Sequence, residues 1–403
     1  MKKKKILLSA YSCEPNTGSE HEVGWQWIKN IKNKGNIIEV ITRKSNKKKI
    51  LKEIKKKKIN VKFHFYDLPK FLKKILKKKN DPHSYLYFLL WQLGIFLKFK
   101  KYIKSNYFDY VHHVTFVSLR FPSFLGLTNK NFIFGPVSGG EYVPIRYRKY
   151  FTIKEHIIEI IRDLSNFYIK FSPLLNLTFL TSKKIIVNSE LTKKLIPAIY
   201  HKKIKIIPSI SISDDEQNYK YKYKKINSPF RICFVGRPYG WKGIYLAIES
   251  IKNLSKFNKN FKFVIVCNKN ENSNFEKLIK KKKITDITEI KNNMSRSKLL
   301  NFFKTCDLNL FPSFRDSGGF VVLESQISNT PSLVLDISGT ADYINKNGIK
   351  IKTTNKSFSE LSNQISLKIN EFIFKTNLRK SIYKNFKPSF KKFSWENKIK
   401  KIY

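Results

Sequence analysis

Two carboxylates eight positions apart, Asp316 and Glu324, frame a stretch whose residue types and spacing suit ligand chemistry. Ser317, Gly318 and Gly319 follow the first directly, and the apolar run Phe320 to Leu323 precedes the second. This pattern predicts a loop that feeds a buried helix. Glycines let backbone N–H groups come close to a ligand, and a helix starting there turns its positive end toward an anion such as a diphosphate. Eight residues span a little over two helical turns, so a helix beginning near Gly319 would bring Glu324 to the face of the loop. One carboxylate could then accept from sugar hydroxyls and the other from ribose hydroxyls. The window is also unusual in charge: 80 of 403 residues are Lys or Arg, yet no Lys lies between Lys304 and Lys346, and Arg315 is its only cation. A buried segment that cannot solvate an ammonium group and a binding site both explain that exclusion.

A second cluster follows the predicted strand Phe230 to Val235: Gly236-Arg237-Pro238-Tyr239-Gly240-Trp241-Lys242-Gly243, then an amphipathic helix from Ile244. An Arg and a Lys bracketed by glycines at the mouth of a helix suit a diphosphate leaving group. Residues 6 to 28 again contain no Lys or Arg. They predict a strand (Ile6 to Ala10), a loop with Glu14, Gly18, Ser19 and Glu20, and a helix carrying Val23, Trp25, Trp27, Ile28 and Ile31, the opening of a Rossmann-like unit. Farther on, a strand from Tyr107 to Val111 is expected to end in His112-His113-Val114-Thr115, and one from Asn131 to Phe134 in a turn from Gly135 to Glu141. Ligands of doubly wound sheets lie at such strand ends. A His there could bind an acceptor hydroxyl or take its proton, or serve structure alone.

The elements that must position these residues are legible as alternating strands and helices. Ile37 to Thr42 and Val61 to Tyr66 predict strands. Tyr85 to Leu97 predicts a helix, buried or interfacial, with Lys98, Lys100 and Lys101 after it. Tyr150 to Leu180 is helical in pattern, Lys184 to Asn188 a strand, and Ser189 a helix cap. Residues 208–228 lose periodicity and predict an interdomain linker. Beyond it come strands at Phe261 to Val266 and Leu308 to Phe311, a helix at Ser297 to Phe303, and a helix stop at Thr330-Pro331 before a strand from Ser332 to Asp336. The boundaries implied are 1–207 for an N-terminal Rossmann-like domain, 208–228 for the linker, 229–385 for a C-terminal Rossmann-like domain and 386–403 for a last helix.

The totals allow two domains, and 41% hydrophobic residues can fill their cores. A formal charge of +51 invites a nucleic-acid reading. The lysines, however, run through most of the chain between Asn and Ile residues, which points to compositional bias, while still favouring an anionic membrane face. Cys13, Cys233, Cys267 and Cys306 stand far apart, as expected in a reducing compartment without metal sites or disulfides. The basic start has too short an apolar run, Ile6 to Leu8, for a signal peptide, and no run predicts a transmembrane helix. No internal repeat is evident.

The run D-S-G-G-F-V-V-L-E at 316–324, with N-T-P-S-L-V-L after it, resembles the E-x7-E element of retaining glycosyltransferases of family 4, Asp316 standing for the first Glu as in one branch. The stretches C-E-P-N-T-G-S-E-x-x-x-G-W, H-H-V-T-F with F-G-P-V-S-G-G-E, the Gly-Arg…Lys cluster and the tail Phe393-Ser394-Trp395 are similar to the same branch. The resemblance implies an α/β fold of two Rossmann-like domains facing a cleft (GT-B), with a C-terminal helix crossing back to the N-terminal domain. It implies a retaining hexosyltransferase that moves a sugar from a nucleoside-diphosphate sugar to a glycan or lipid-linked acceptor in surface polysaccharide biosynthesis. Arg237 and Lys242 would hold the donor phosphates, Asp316 the transferred sugar and Glu324 the ribose. Gly18, Ser19, Gly236, Gly318, Gly319 and Phe320 would line the donor, and His112, His113 and Glu141 the acceptor side. Retention would proceed by front-face substitution, a donor phosphate oxygen helping to remove the acceptor proton, with no protein nucleophile. No cofactor is expected besides the nucleotide-sugar co-substrate, and the lack of a D-x-D motif predicts no metal. The expected partners are donor, acceptor and an anionic membrane surface, with no specific nucleic acid; the expected location is cytoplasmic, peripheral on the inner membrane face. Two other readings stay open: a metal-free GT-B sugar-nucleotide epimerase, and a non-catalytic polyanion- or nucleic-acid-binding protein, which would bind strands tightly and sequence-dependently at physiological salt.

Overall fold

A computed structural model of the chain describes residues 3–15, 17, 19–76, 85–128, 131–212, 223–268, 270–271, 273–386 and 393–403. Gly18, the Ser19 side chain, residues 213–222 of the expected linker and residues 387–392 of the expected last segment fall outside them. The chain divides into two compact units, one of Met1–Gly140, Leu164–Ser209 and Ile402–Tyr403, the other of Glu141–Asp163 and Ile210–Lys401.

The first unit holds a parallel sheet of β1 (Lys5–Ala10), β2 (Ile37–Arg43), β3 (Lys62–Tyr66), β4 (Tyr110–Thr115), β5 (Phe132–Val137), β6 (Lys184–Val187) and β7 (Ile204–Ile206), in the order β3-β2-β1-β4-β5-β6-β7. Central strands such as β1, buried from Ile6 to Ala10, are mostly apolar because both faces are covered. Helices α1 (Ser19–Asn33), α2 (Lys47–Lys57), α3 (Lys70–Leu76) and α4 (Tyr85–Ser105) precede β4. Then come α5 (Ile145–Arg148) and α6 (Ile153–Phe171), whose residues up to Asp163 belong to the second unit, and α7 (Pro173–Thr181) and α8 (Glu190–Lys193) of the first. One face of α4 is core: Tyr87, Phe88, Trp91, Ile95, Phe99 and Ile103 are buried, and Tyr11 meets Phe88 and Trp91 edge-on at 4.8 and 5.1 Å. Leu86, Leu93 and Leu97 on the same helix are exposed. Helix α6 is inverted relative to ordinary amphipathicity: Glu155 and Glu159 are buried, while Ile153, Ile157, Ile160, Ile161, Leu164, Phe167 and Phe171 are exposed.

One sequence expectation needs correction. His112 and His113 do not sit in a turn after their strand; they lie inside β4. The strand is paired on both sides, Leu8 and Ser9 of β1 opposite the two histidines and Ile133 and Phe134 of β5 on the other flank, and this ladder carries it on to Thr115. In the same way β5 continues through Gly135 and Pro136, absorbing the proline at a register irregularity between Phe134 and Val137.

The second unit holds β8 (Phe230–Val235), β9 (Phe261–Cys267), β10 (Thr288–Asn292), β11 (Leu308–Phe311), β12 (Ser332–Leu335) and β13 (Ile349–Ile351), all parallel, in the order β10-β9-β8-β11-β12-β13. Its helices are α9 (Ile244–Leu254), α10 (Asn274–Lys281), α11 (Arg296–Lys304), α12 (Phe320–Ile327), α13 (Phe358–Phe374), α14 (Thr376–Lys384) and α15 (Trp395–Ile402). Chain order reverses between β1 and β4 in the first sheet and between β8 and β11 in the second, the points at which such sheets open a ligand crevice. The last two residues belong to the first unit, where the Tyr403 carbonyl accepts from the Tyr110 hydroxyl at 3.4 Å. All four cysteines are free and buried, and Cys233 and Cys306 share one core cluster of the second unit.

Candidate functional site

At the reversal point of the second sheet, three loops leave the C-terminal ends of neighbouring strands β8, β11 and β12. Backbone approach, not side-chain size, governs how they fit. Gly243 has φ 82°, and a Cβ there would lie 2.0 Å from the Pro312 carbonyl oxygen. Gly319 has φ 59°, and a Cβ would lie 2.4 Å from the Tyr343 ring. Only glycine satisfies both the left-handed backbone and the space at these places. The loops are also tied by hydrogen bonds: the Trp241 carbonyl accepts from Phe314 N at 3.1 Å and Arg315 N at 3.2 Å, and the Asp316 carbonyl from Gly339 N at 2.7 Å.

This packing joins two residues that lie 74 positions apart. Lys242 Nζ donates to Asp316 Oδ2 at 2.6 Å, while Asp316 Oδ1 accepts from Gly318 N at 2.9 Å and Gly319 N at 3.1 Å. Burial pushes the Asp316 pKa up, but the Lys242 charge and the two backbone donors outweigh it and hold the carboxyl below its usual value. Helix α12 begins at Phe320, directly after this loop. The 316–345 window is largely buried, which fits its lack of lysine.

Of the other expected donor residues, Gly236 follows β8 directly, and Arg237 is 69% exposed with Nε 4.0 Å from Glu271 Oε2. Glu324, on the second turn of α12, accepts from Arg296 Nε at 2.9 Å. Sequence reasoning missed Arg296, and also Arg315, whose Nη2 lies 2.7 Å from Glu159 Oε1. Burial, then the charge of Arg162, lowers the Arg315 pKa to about 10. A signal for both existed: the chain has only ten arginines among its 80 cations, so an Arg retained in a lysine-biased chain marks a place where the planar, multi-donor group matters.

The expected acceptor-side residues are divided between the units. Glu141 belongs to the second, buried, its main-chain oxygen accepting from Arg162 at 3.4 Å. His112 and His113 belong to the first. His112 Nε2 donates to the Gly135 carbonyl at 2.6 Å and Nδ1 accepts from the Tyr403 hydroxyl at 2.5 Å, so both ring nitrogens are spent on structure. Burial drives its pKa down to about 3, which keeps it neutral in this tautomer. His113 makes one long bond, Nε2 to the Phe116 carbonyl at 3.4 Å, and burial lowers its pKa to about 4. At the reversal point of this first sheet, Glu20 in the first turn of α1 accepts from Val117 N, and burial raises its pKa to about 7. Among the described residues no group of three or more His, Cys, Asp or Glu is arranged to hold a metal ion, and no helix is long and apolar enough to cross a membrane.

Two doubly wound α/β units with these loop constellations define a GT-B-fold protein whose second unit is related to the glycosyl transferases group 1. Residues 215–387 match that family. Over 175 residues, 42% of this chain, the sequence is 26% identical to an uncharacterized glycosyltransferase, MJ1178, of Methanocaldococcus jannaschii. The matched segment covers 46% of that relative, so the chain spans about half the length of the curated relative it matches. In fold, the chain is similar to a glycosyltransferase of Rickettsia africae (TM-score 0.64, 17% identity, covering 100% of this chain and 98% of the other). It is also similar to HepE of Anabaena in complex with UDP-glucose (TM-score 0.59, 13% identity, covering 99% and 98%).

Proposed function

We propose that the chain is a retaining family 4 glycosyltransferase that moves a hexose from a nucleoside-diphosphate sugar to a glycan or lipid-linked acceptor. The observation that carries this reading is the Lys242–Asp316 pair with its two glycine N–H donors at the crevice of the second sheet. On this reading Arg237 and Lys242 offset the charge that grows on the diphosphate as the anomeric carbon–oxygen bond breaks, an interaction that strengthens toward the transition state. Asp316, held ionised, accepts from hydroxyls of the transferred sugar, and Glu324, oriented by Arg296, from the ribose. Gly236, Gly318, Gly319 and Phe320 line the donor. Substitution occurs on the front face, a donor phosphate oxygen taking the acceptor proton, and the chain supplies no nucleophile. On the acceptor side His113 is the better candidate, since His112 has no ring nitrogen to offer. The complex of HepE with UDP-glucose makes a uridine nucleotide the first donor to test.

The acceptor is carried at an anionic membrane face, with the chain peripheral on the cytoplasmic side and working in surface polysaccharide biosynthesis. Support comes from the first unit, where Leu86, Leu93 and Leu97 of α4 are exposed and Lys98, Lys100 and Lys101 follow them, also exposed. A net charge of +51 favours an anionic surface over a second copy of the chain.

A thermal-shift screen of UDP-, GDP- and ADP-sugars at moderate salt tests the donor site. One sugar nucleotide should stabilise the wild type, and Glu324→Ala should lose that response. No stabilisation by any of them, or an equal response in the variant, would sink the reading.

A further inference from the structure

Glu155 and Glu159 stand one turn apart on α6, 2% and 0% exposed. Glu155 Oε1 accepts from Gly240 N at 2.7 Å, and its Oε2 accepts from Thr152 N at 2.9 Å and from the Tyr245 hydroxyl at 3.3 Å. Gly240 opens the short turn that Lys242 closes. Glu159 meets Arg315 at 2.7 Å, and Arg315 is the residue before Asp316. Between the two grips lies Trp241, its carbonyl accepting from Phe314 N, Arg315 N and the Ser313 hydroxyl, with the Arg315 guanidinium 5.0 Å from its ring centroid. One helical turn therefore grips both loops of the Lys242–Asp316 pair.

Burying two carboxylates costs more than burying two apolar side chains of the same size. The same helix carries Ile153, Ile157, Ile160 and Ile161 on its exposed face. A helix serving only to cover a core would place those inward. The polar-inward arrangement makes sense where directional bonds to particular backbone and guanidinium groups are needed.

We propose that Glu155 and Glu159 are positioning residues for the donor site, setting the separation and orientation of Lys242 and Asp316 through Gly240 and Arg315. This inference rests on the reading of that pair as the donor site, and the test separates the two. Glu155→Ala, Glu155→Gln and Glu159→Gln are compared with wild type by calorimetric titration with UDP and by amide hydrogen exchange of residues 236–243 and 313–319 in the ligand-free chain. Loss of the charged acceptor in Glu155→Ala should weaken UDP binding about tenfold and speed exchange in 236–243. Glu155→Gln, which keeps an oxygen for Gly240 N, should restore binding to within about threefold of wild type. Glu159→Gln should speed exchange in 313–319. Wild-type exchange in both segments in all folded variants overturns the proposal, whether or not UDP binds; equal loss of binding in Glu155→Ala and Glu155→Gln overturns it too. If the wild type binds none of UDP, GDP and ADP while exchange accelerates as expected, the donor reading falls and the positioning role stands. Should Glu155→Ala not fold, Glu159→Gln alone decides, because it preserves shape and removes only the charge.

Discussion

The Lys242–Asp316 contact can be isolated by a double-mutant cycle of Lys242→Met, Asp316→Asn and the double variant. At 2.6 Å and an effective dielectric constant of about 20, the gross Coulomb attraction is ~6 kcal/mol. The two side chains are 22% and 14% exposed, so desolvation cancels most of that gain. The coupling energy expected is about 1–3 kcal/mol. Lys242→Met alone is predicted to be the more damaging single change, because it leaves the buried Asp316 carboxylate with only the Gly318 and Gly319 donors, whereas Asn keeps an oxygen for those donors and leaves Lys242 its solvent access. The assay is urea unfolding of the four proteins across pH. Asp316 has a folded pKa below its ordinary 3.8, so its contribution is present above that value and is lost as pH falls through the folded value. The coupling should therefore hold flat from neutral pH to about pH 5 and fade only in stronger acid. It should also survive added salt, since screening acts mainly on exposed charges. A coupling under about 0.5 kcal/mol at pH 7 would refute the claim that the three loops hold these groups as a built pair.

Glu20 gives the opposite pH signature. Its proton is held more tightly in the folded chain, with a pKa of about 7 against 4.5, so its ionisation opposes folding and stability declines as pH rises through that window. The penalty at alkaline pH is ~3 kcal/mol relative to acid. Glu20→Gln should remove that component, and parallel stability–pH curves for wild type and variant would contradict it. For the membrane surface, sedimentation with phosphatidylglycerol vesicles at moderate salt should carry the chain down, and pure phosphatidylcholine should not. Leu93→Asp with Leu97→Asp should weaken partition about tenfold or more; unchanged partition would leave only diffuse lysine attraction and remove α4 from the interface.

Much was legible in the chain alone. The apolar runs of β8 and β11 and the starts of α9 and α12 follow from local pattern, because a buried parallel strand needs a short, nearly continuous apolar run and its following helix needs a glycine turn. The edge strand β10, Thr288–Asn292, escaped notice because an edge needs pairing on one side only and carries no strong apolar signal. The fold class and the loop carrying Asp316, Gly318 and Gly319 were therefore accessible from sequence. Tertiary structure alone decided which charges meet. Lys242 joins Asp316, Arg296 joins Glu324, and Glu155 and Glu159 reach Gly240 and Arg315 from a segment that sequence order places with the first sheet. It also moved His112 from an open turn into a paired strand, where Tyr403 and Gly135 use both its nitrogens. The physical reason is the same in each case: periodicity records whether a side chain faces core or solvent, whereas the partner of a buried charge depends on which distant loops the strand order brings together.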